Sequence, residues 1–373
     1  MLRVFLLSAP ALASFSCVGS SKSNLYAITE YTLSYQHGFV KRGLVGEILR
    51  HCGYLTWHKL GEVQMVIMLL VLAACYAVFG RLLYRGPLPQ AFLVLFLLLS
   101  PACLLHFAAT VAHPDSLLFV LLLLAYAALV RLPAAVGPLV ALAPCALALL
   151  LHESFPLLLY PVLAAIQWDR LRQGKASKTA VALHLSMFTA VFLLVLAFGK
   201  LHIPAAQLQA EAQLRTEVPL VEAIFDVVTR GFAGQWHELI AFYSWRLLAE
   251  AVLSTVVLLP YLIAAWKLLT VLNGVRRRPF PTAALVAMLV APLLLSFLGM
   301  DLYRWCAGSL VCGLLFLVYL TESGEPEMDA AMNSLSQPFV SGAIVYGLAA
   351  GAMGAGALSL LGRVLFLIST GRG

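Results

Sequence analysis

Residues 115–130 read DSLLFVLLLLAYAALV. One carboxylate opens the run, and no further charge follows until Arg131. Comparable apolar runs lie near 63–80, 90–108, 134–151, 154–168, 179–199, 246–266, 282–299, 305–320 and 338–368. Blocks of roughly 15 to 25 apolar residues match what a helix needs to cross a hydrocarbon core about 30 Å thick. The last run is long enough for one very long helix or a tight hairpin, and its Gly and Ala content suits close helix packing. The blocks are continuous rather than alternating, which argues against a β-barrel.

Composition points the same way. Hydrophobic residues make up 62% of the 373-residue chain and charged residues only 11%. A soluble domain is about half apolar and about a quarter charged, so a soluble protein of this composition has too few charges to cover its surface. The expected fold is an all-α, polytopic integral membrane helical bundle of about eleven spans, a single membrane domain over residues 1–373. A soluble enzyme, a nucleic-acid-binding module and a disordered chain are excluded. The start, MLRVFLLSAPALA, reads as a short first span running to about Val18. The alternative is a signal peptide with Ala11-Leu12-Ala13 as its small-x-small cleavage site. Either reading puts residues 19–62 outside the cytoplasm.

The formal charge of +7 matters through its placement. Arg81 and Arg85, Arg131, the set Arg170, Arg172, Lys175 and Lys178, and the set Lys267, Arg276, Arg277 and Arg278 fall in short loops on one side. Basic loops of this kind are cytoplasmic. Residues 321–337 belong to the same side but are acidic, through Glu322, Glu325, Glu327 and Asp329; acidic residues contribute little to orientation. The tryptophans at 57, 168, 236, 245, 266 and 305 fall near span ends, as an aromatic belt does. Of the seven cysteines, Cys17, Cys75, Cys103, Cys145, Cys306 and Cys312 lie in or beside apolar runs and read as small hydrophobes. Cys52 lies in a polar stretch without an obvious partner. No inverted repeat of the transporter kind is visible between the halves.

The opposite loops collect the unusual polar residues. They are the segment 19–62, the turns His106–Asp115 and His152–Glu153, the segment 200–245 and the turn Gly299–Trp305. The first reads ITEYTLSYQHGFVKRGLVGEILRHCGYL from Ile28 and holds Glu30, His37, Lys41, Arg42 and Glu47. A carboxylate here is a candidate general base, and an adjacent Lys-Arg pair suits a phosphate. Gly43 and Gly46 allow backbone to approach a ligand closely. The stretch after Phe39 reads as an interfacial helix with Leu44, Ile48 and Leu49 toward lipid. The plainer alternative is a surface helix whose charges only meet headgroups.

His113-Pro114-Asp115 opens a span: the aspartate either caps that helix or serves a site. His152-Glu153 lies inside ALALLLHESFPLLLYP with nothing local to neutralise the acid. It is either a solvated turn or a functional carboxylate. In GMDLYRW, Asp301 and Arg304 are spaced to share a helix face and pair, with Tyr303 between them. As a site, Arg304 supplies a second phosphate ligand and Asp301 orients it. In PLVEAIFDVVTRGF, Val221, Ile224, Phe225 and Val228 lie opposite Glu222, Asp226 and Thr229, which reads as a helix lying on the membrane. His113, Asp115, His152 and Glu153 suit Mn²⁺ or Zn²⁺ if the two turns meet. No spacing requires a metal, and no cofactor is called for.

Glu30 followed by Tyr31, with the Tyr35–Gly38–Phe39–Gly43 spacing, resembles the first outer loop of GT-C-type membrane glycosyltransferases. His113-Pro114-Asp115-Ser116-Leu117, opening LLFVLLLLAYAAL, resembles the proline-aspartate start of a later span in that superfamily. The resemblance covers residues 1–170; beyond them only the helical layout agrees. It implies a polyprenyl-phosphate-linked sugar donor, a glycan or lipid acceptor, membrane lipid as surroundings, no nucleic acid, and action on the outer face. The family acid in this loop is usually Asp, whereas here the match falls on Glu30. The resemblance and the residues together give Glu30 or Asp115 as base and Lys41, Arg42 and Arg304 as phosphate ligands. His37, His113, His152 and Glu153 bind or orient acceptor groups, with Asp301 and Tyr303 also lining the site.

The expected function is transfer of a hexosyl or pentosyl group in surface glycan or glycolipid assembly, at the periplasmic face of a bacterial inner membrane. The rival readings are a polysaccharide polymerase or ligase using lipid-diphosphate-linked glycans, a lipid or solute transporter or flippase, and a non-catalytic assembly partner.

Overall fold

The computed structural model describes residues 2–18, 25–111, 113–229, 245–275, 280–297, 302–323 and 337–350. Asp301, Trp236, Arg276, Arg277, Arg278, Glu325, Glu327, Asp329 and the stretch 351–373 lie outside them. The described elements are helices, joined by one isolated bridge between Leu55 and Thr216. In order, α1 is Leu2–Val18, α2 Leu25–Glu30, α3 Gly43–His51, α4 Trp57–Arg85, α5 Leu88–Leu98 and α6 Leu104–Ala109. Then come α7 Pro114–Arg131, α8 Gly137–Leu151, α9 Phe155–Leu158, α10 Tyr160–Arg172, α11 Lys178–Phe198, α12 Ala205–Gln213 and α13 Glu222–Thr229. The last are α14 Trp245–Val275, α15 Thr282–Val290, α16 Leu302–Glu322 and α17 Gln337–Ala350.

Four helices, α4, α7, α11 and α16, are long and apolar enough to cross a membrane. Shorter apolar helical stretches cover Leu6–Phe15, Leu88–Leu98, Gly137–Leu151, Thr255–Val271 and Thr282–Ser296. Proline explains part of the difference from the longer runs read in the sequence. It lacks an N–H and pushes the preceding residue out of helical conformation. The run 90–108 breaks after Leu98, just before Pro101, and resumes as α6. The run 154–168 divides at Leu159, ahead of Pro161, into α9 and α10. The run 282–299 tightens at Ala291–Phe297 into a 3₁₀ segment containing Pro292.

The centre of the bundle is α16, in which every residue from Ala307 to Thr321 is buried. It packs against α5, α10, α14 and α15. Gly308 makes part of this possible: a Cβ there would lie 2.5 Å from Leu158 Cδ1, so α9 crosses where α16 has no side chain. By contrast α11 is peripheral, with Leu183, Leu185, Leu193, Leu194, Leu196 and Phe198 exposed. The helix α4 is two-sided. It buries Ile67, Met68, Val71 and Cys75 and exposes Met65, Val66, Leu69 and Leu70. Large apolar faces directed outward suit a hydrocarbon surrounding rather than water.

A second, smaller core forms beside the bundle from Leu33, Val40, Leu201, Leu208, Ala212, Ile224, Phe225 and Val228. This corrects the reading of α13 as a helix lying on the membrane. Its apolar face is already covered by α12 and by the chain between α2 and α3, because Ile224, Phe225 and Val228 are fully buried there. The expectation for α3 also changes. Leu44 and Leu49 are half-buried against the main core, leaving Ile48 exposed. Cys52, Cys75, Cys103, Cys145, Cys306 and Cys312 are free thiols.

Candidate functional site: a buried charge cluster

Glu30 is the last residue of α2 and is buried, at 3% exposure. A carboxylate in that position needs a cation, and the chain supplies it twelve residues later through an unusual backbone. Arg42 precedes α3 at φ 65°, the one non-glycine residue with positive φ among the described residues. The left-handed region costs an L-residue about 1–2 kcal/mol. Here it turns the guanidinium into the protein. Arg42 Nη1 donates to Glu30 Oε1 at 2.7 Å. On its other side, Nε donates to Glu153 Oε2 at 2.9 Å and Nη2 to Glu153 Oε1 at 2.7 Å. Lys41 Nζ reaches the same Oε1 at 3.2 Å, and its backbone N–H is held by the carbonyl of Gly199 after α11. Strained backbone held by a charge network is a recurrent feature of working sites.

Glu153 arrives from the turn between α8 and α9. His152 ends α8 in extended conformation and is buried. Its Nδ1 accepts the Ser154 N–H at 3.1 Å, which leaves Nε2 as the protonated nitrogen of a neutral ring. Burial and the Arg42 charge push its pKa down to about 3, consistent with that tautomer.

The third part joins α7 to α16. Arg304 Nε and Nη2 donate to Asp115 Oδ2 and Oδ1 at 2.6 and 2.7 Å, a two-bond fork between buried side chains. Pro114 and Asp115 occupy the first turn of α7, where the helix end also favours a negative charge. Arg304 acts electrostatically on Glu30 as well, so the parts form one set of charges. Three carboxylates, Glu30, Asp115 and Glu153, meet three cations, Lys41, Arg42 and Arg304.

The two glutamates are driven in opposite directions. Burial raises the Glu30 carboxyl above its ordinary range, against Arg42 and Arg304, which lower it. Burial also disfavours the Glu153 charge, but Arg42 and Lys41 outweigh it and hold that carboxyl well below its ordinary range. Two acids whose environments separate them in this way are suited to different roles.

Beside the Asp115–Arg304 fork is a void of about 10 Å³ lined by His106, Phe107, Leu158, Leu159, Ala307 and Gly308. That is room for one water. His106 is buried there, with Tyr303 half-buried and its ring 6.2 Å away. His106 bounds a polar turn in the sequence reading but is not among its candidate site residues, being a lone imidazole in the apolar stretch PACLLHFAAT.

Of the residues nominated from sequence, the cluster thus gathers Glu30, Lys41, Arg42, Asp115, His152, Glu153 and Arg304. His113 is buried next to Asp115. His37 is elsewhere: its Nε2 lies 2.5 Å from Glu211 Oε2 on α12, on the surface of the smaller core. Arg304 pairs with Asp115, and Asp301, which the sequence spaces to share its face, lies outside the described residues. Gly43 and Gly46 are required by the chain's own packing. A Cβ on Gly46 would lie 1.8 Å from the Leu33 carbonyl oxygen, and one on Gly43 would lie 2.6 Å from the Tyr35 ring. Among the described residues no three His, Cys, Asp or Glu side chains are grouped to hold a metal ion. The acids of the proposed metal set are engaged by Arg304, Arg42 and Lys41. No family model, no curated protein and no solved structure matches this chain.

Proposed function

We propose that the chain is a membrane glycosyltransferase, moving a sugar from a polyprenyl-phosphate donor to a glycan or lipid acceptor. The observation that carries this is Arg42, held at positive φ and mostly covered, joining a carboxyl of raised pKa to one of lowered pKa. A displacement at the sugar carbon needs a base for the acceptor hydroxyl and cations for the departing phosphate. Glu30 is the base in this reading, since a raised pKa makes its carboxylate a better proton acceptor. The acceptor oxygen bonds to the sugar carbon, the carbon–phosphate-oxygen bond breaks, and the electron pair leaves with the phosphate. Glu30 gains a proton as the phosphate gains a negative charge. The site's net charge is therefore unchanged, and Arg42, no longer paired with an anionic Glu30, turns to the phosphate with Lys41. Asp115 holds Arg304 in place.

The same proposal takes the bundle as about eleven spans, in a bacterial inner membrane, with the cluster at the outer face. The supporting pattern is the gathering of basic loops on the other side. The test is a lipid and glycan profile by mass spectrometry of cells carrying the intact protein or Glu30→Gln at matched expression. Loss of a glycan with build-up of a polyprenyl-linked sugar or bare acceptor is the expected result. Identical profiles, with a change only on deletion, remove Glu30 as base.

One observation favours a second reading, a transporter. The charges are mutually paired and the adjoining void is water-sized, and intramembrane ion pairs also mark ion paths. Cysteines placed at 113 and 153 that react from both sides of the membrane support transport; reaction from one side supports the transferase.

A further inference from the structure

Outside the charge cluster lies a larger cavity of about 220 Å³, lined among others by Tyr31, Thr32, Arg50, Tyr54, Leu214 and Arg215. Its construction is specific. The backbone of Arg215 is clipped to the start of α4: Leu55 N–H donates to the Arg215 carbonyl at 2.8 Å. Lys59 Nζ ties down the other wall through the carbonyls of Cys52 and Tyr54. Arg215 Nη1 and Nη2 donate to Ser34 Oγ and the Thr32 carbonyl, and no carboxylate pairs with Arg215 among the described residues. Its Nε is buried without a partner, as is the Tyr31 hydroxyl. Arg50 directs Nε and Nη2 to Glu47. Burial, first, and the Arg50 charge press on the Arg215 cation, outweighing the favourable charges of Glu211 and Glu47. A buried donor without a partner is costly, and two arginines at one cavity repel; an anion relieves both.

The mouth is apolar. Leu214 is 81% exposed and Tyr54 49% exposed. Beyond Leu55 begins α4, which exposes Trp57 at its start, the His58–Glu62 pair in its first turns, and then Met65, Val66, Leu69 and Leu70 on one face. Trp57 at the start of a long apolar helix marks the membrane surface. A cavity holding two arginines at that level, with exposed Leu214 and Tyr54 at its lining and the apolar face of α4 starting about two turns further on, fits a phosphate attached to a hydrocarbon chain. At about 220 Å³ the cavity is below the roughly 300–1,000 Å³ of drug-sized sites, so it takes a headgroup and not a glycan.

We propose that this cavity binds the phosphate of an anionic lipid, with the lipid chain lying along the exposed face of α4. The assignment does not rest on the transferase reading, because it is read as binding and is expected to persist in Glu30→Gln. The test is native mass spectrometry of the full chain in detergent, titrated with phosphatidylglycerol, with diacylglycerol and with inorganic phosphate. Expected are tight retention of phosphatidylglycerol and about tenfold weaker binding in Arg215→Gln and in Arg50→Gln. Diacylglycerol and inorganic phosphate bind far more weakly than the whole lipid. Arg50 is surface-exposed, so its variant keeps the test valid if Arg215→Gln does not fold. Unchanged affinity in Arg50→Gln overturns the site. Inorganic phosphate binding as tightly as the lipid overturns the lipid assignment in favour of a soluble anion.

Discussion

At its first turn, α7 presents Asp115 to the Nε and Nη2 edge of the Arg304 guanidinium. At its last residue, Arg131 donates to the carbonyls of Ala77 and Val78 inside α4 and stands 3.6 Å from Glu322. The other contacts near Arg131 are of the same kind. Arg3 donates to the carbonyls of Leu83 and Gly86 at the end of α4, and Tyr126 and Tyr319 donate to Glu322 and Asp169. There, Arg3 satisfies backbone oxygens at the end of α4, Arg131 ties α7 to carbonyls within it, and hydroxyls join neighbouring helices. Near Asp115, charges pair with other charges, in a number and at a burial that helix ends do not need. The Arg131 end carries one partly exposed ion pair beside its backbone ties, and the Asp115 end a larger cluster of paired charges.

The largest expected effect is on the Asp115 side. Arg304→Gln leaves a buried aspartate without its cation and should cost about 3–5 kcal/mol of stability, read from unfolding in detergent. Arg131→Gln, whose partners are carbonyls and a half-exposed ion pair, should cost about 1 kcal/mol or less. Equal losses would dissolve the contrast. Arg42→Lys sharpens it next. Lysine keeps the charge but cannot fork between two carboxylates, so transfer should fall by at least about tenfold while the melting temperature changes little.

The opposed glutamates give a pH test with opposite signs. Glu30 has a raised folded pKa, so the stability of the wild type relative to Glu30→Gln should fall as pH rises through that value. Glu153 has a lowered one, so the stability of the wild type relative to Glu153→Gln should fall as pH drops through the ordinary carboxylate range. Two curves of the same sign would mean that the cluster does not separate its acids. The smallest effect is expected at His37→Gln. Its pair with Glu211 is partly exposed, so stability should move by less than about 1 kcal/mol and transfer should not move.

Much of this contrast is written in the sequence, and the rest is not. Apolar blocks and the few charges between them mark the helices, because burying a charge in hydrocarbon is expensive enough to leave a pattern. The breaks at Pro101, Pro161 and Pro292 were legible in principle but are overridden by the apolar count; Pro10, Pro144 and Pro260 sit inside helices, so proline alone does not decide. The polar residues of the cluster stand out as acids and cations among apolar neighbours. Their pairing does not, since Asp115 and Arg304 are 189 positions apart and a local rule reaches only as far as Asp301. Nothing in the letters of Lys41-Arg42-Gly43 marks Arg42, rather than the glycine, as the residue with positive φ. The face of α13 was read correctly as apolar, but a periodic pattern does not say whether lipid or protein covers it.

The measurement that tests the central claim most directly compares sugar transfer to acceptor lipid in membranes carrying Glu30→Gln or Tyr319→Phe, at matched folded protein. Each variant removes one buried polar contact, one from the charge cluster and one from the Asp169 contact on the Arg131 side. The account expects Glu30→Gln to lose at least about a hundredfold, with Tyr319→Phe within about twofold of wild type. Transfer that survives in Glu30→Gln, or falls equally in both, would contradict it.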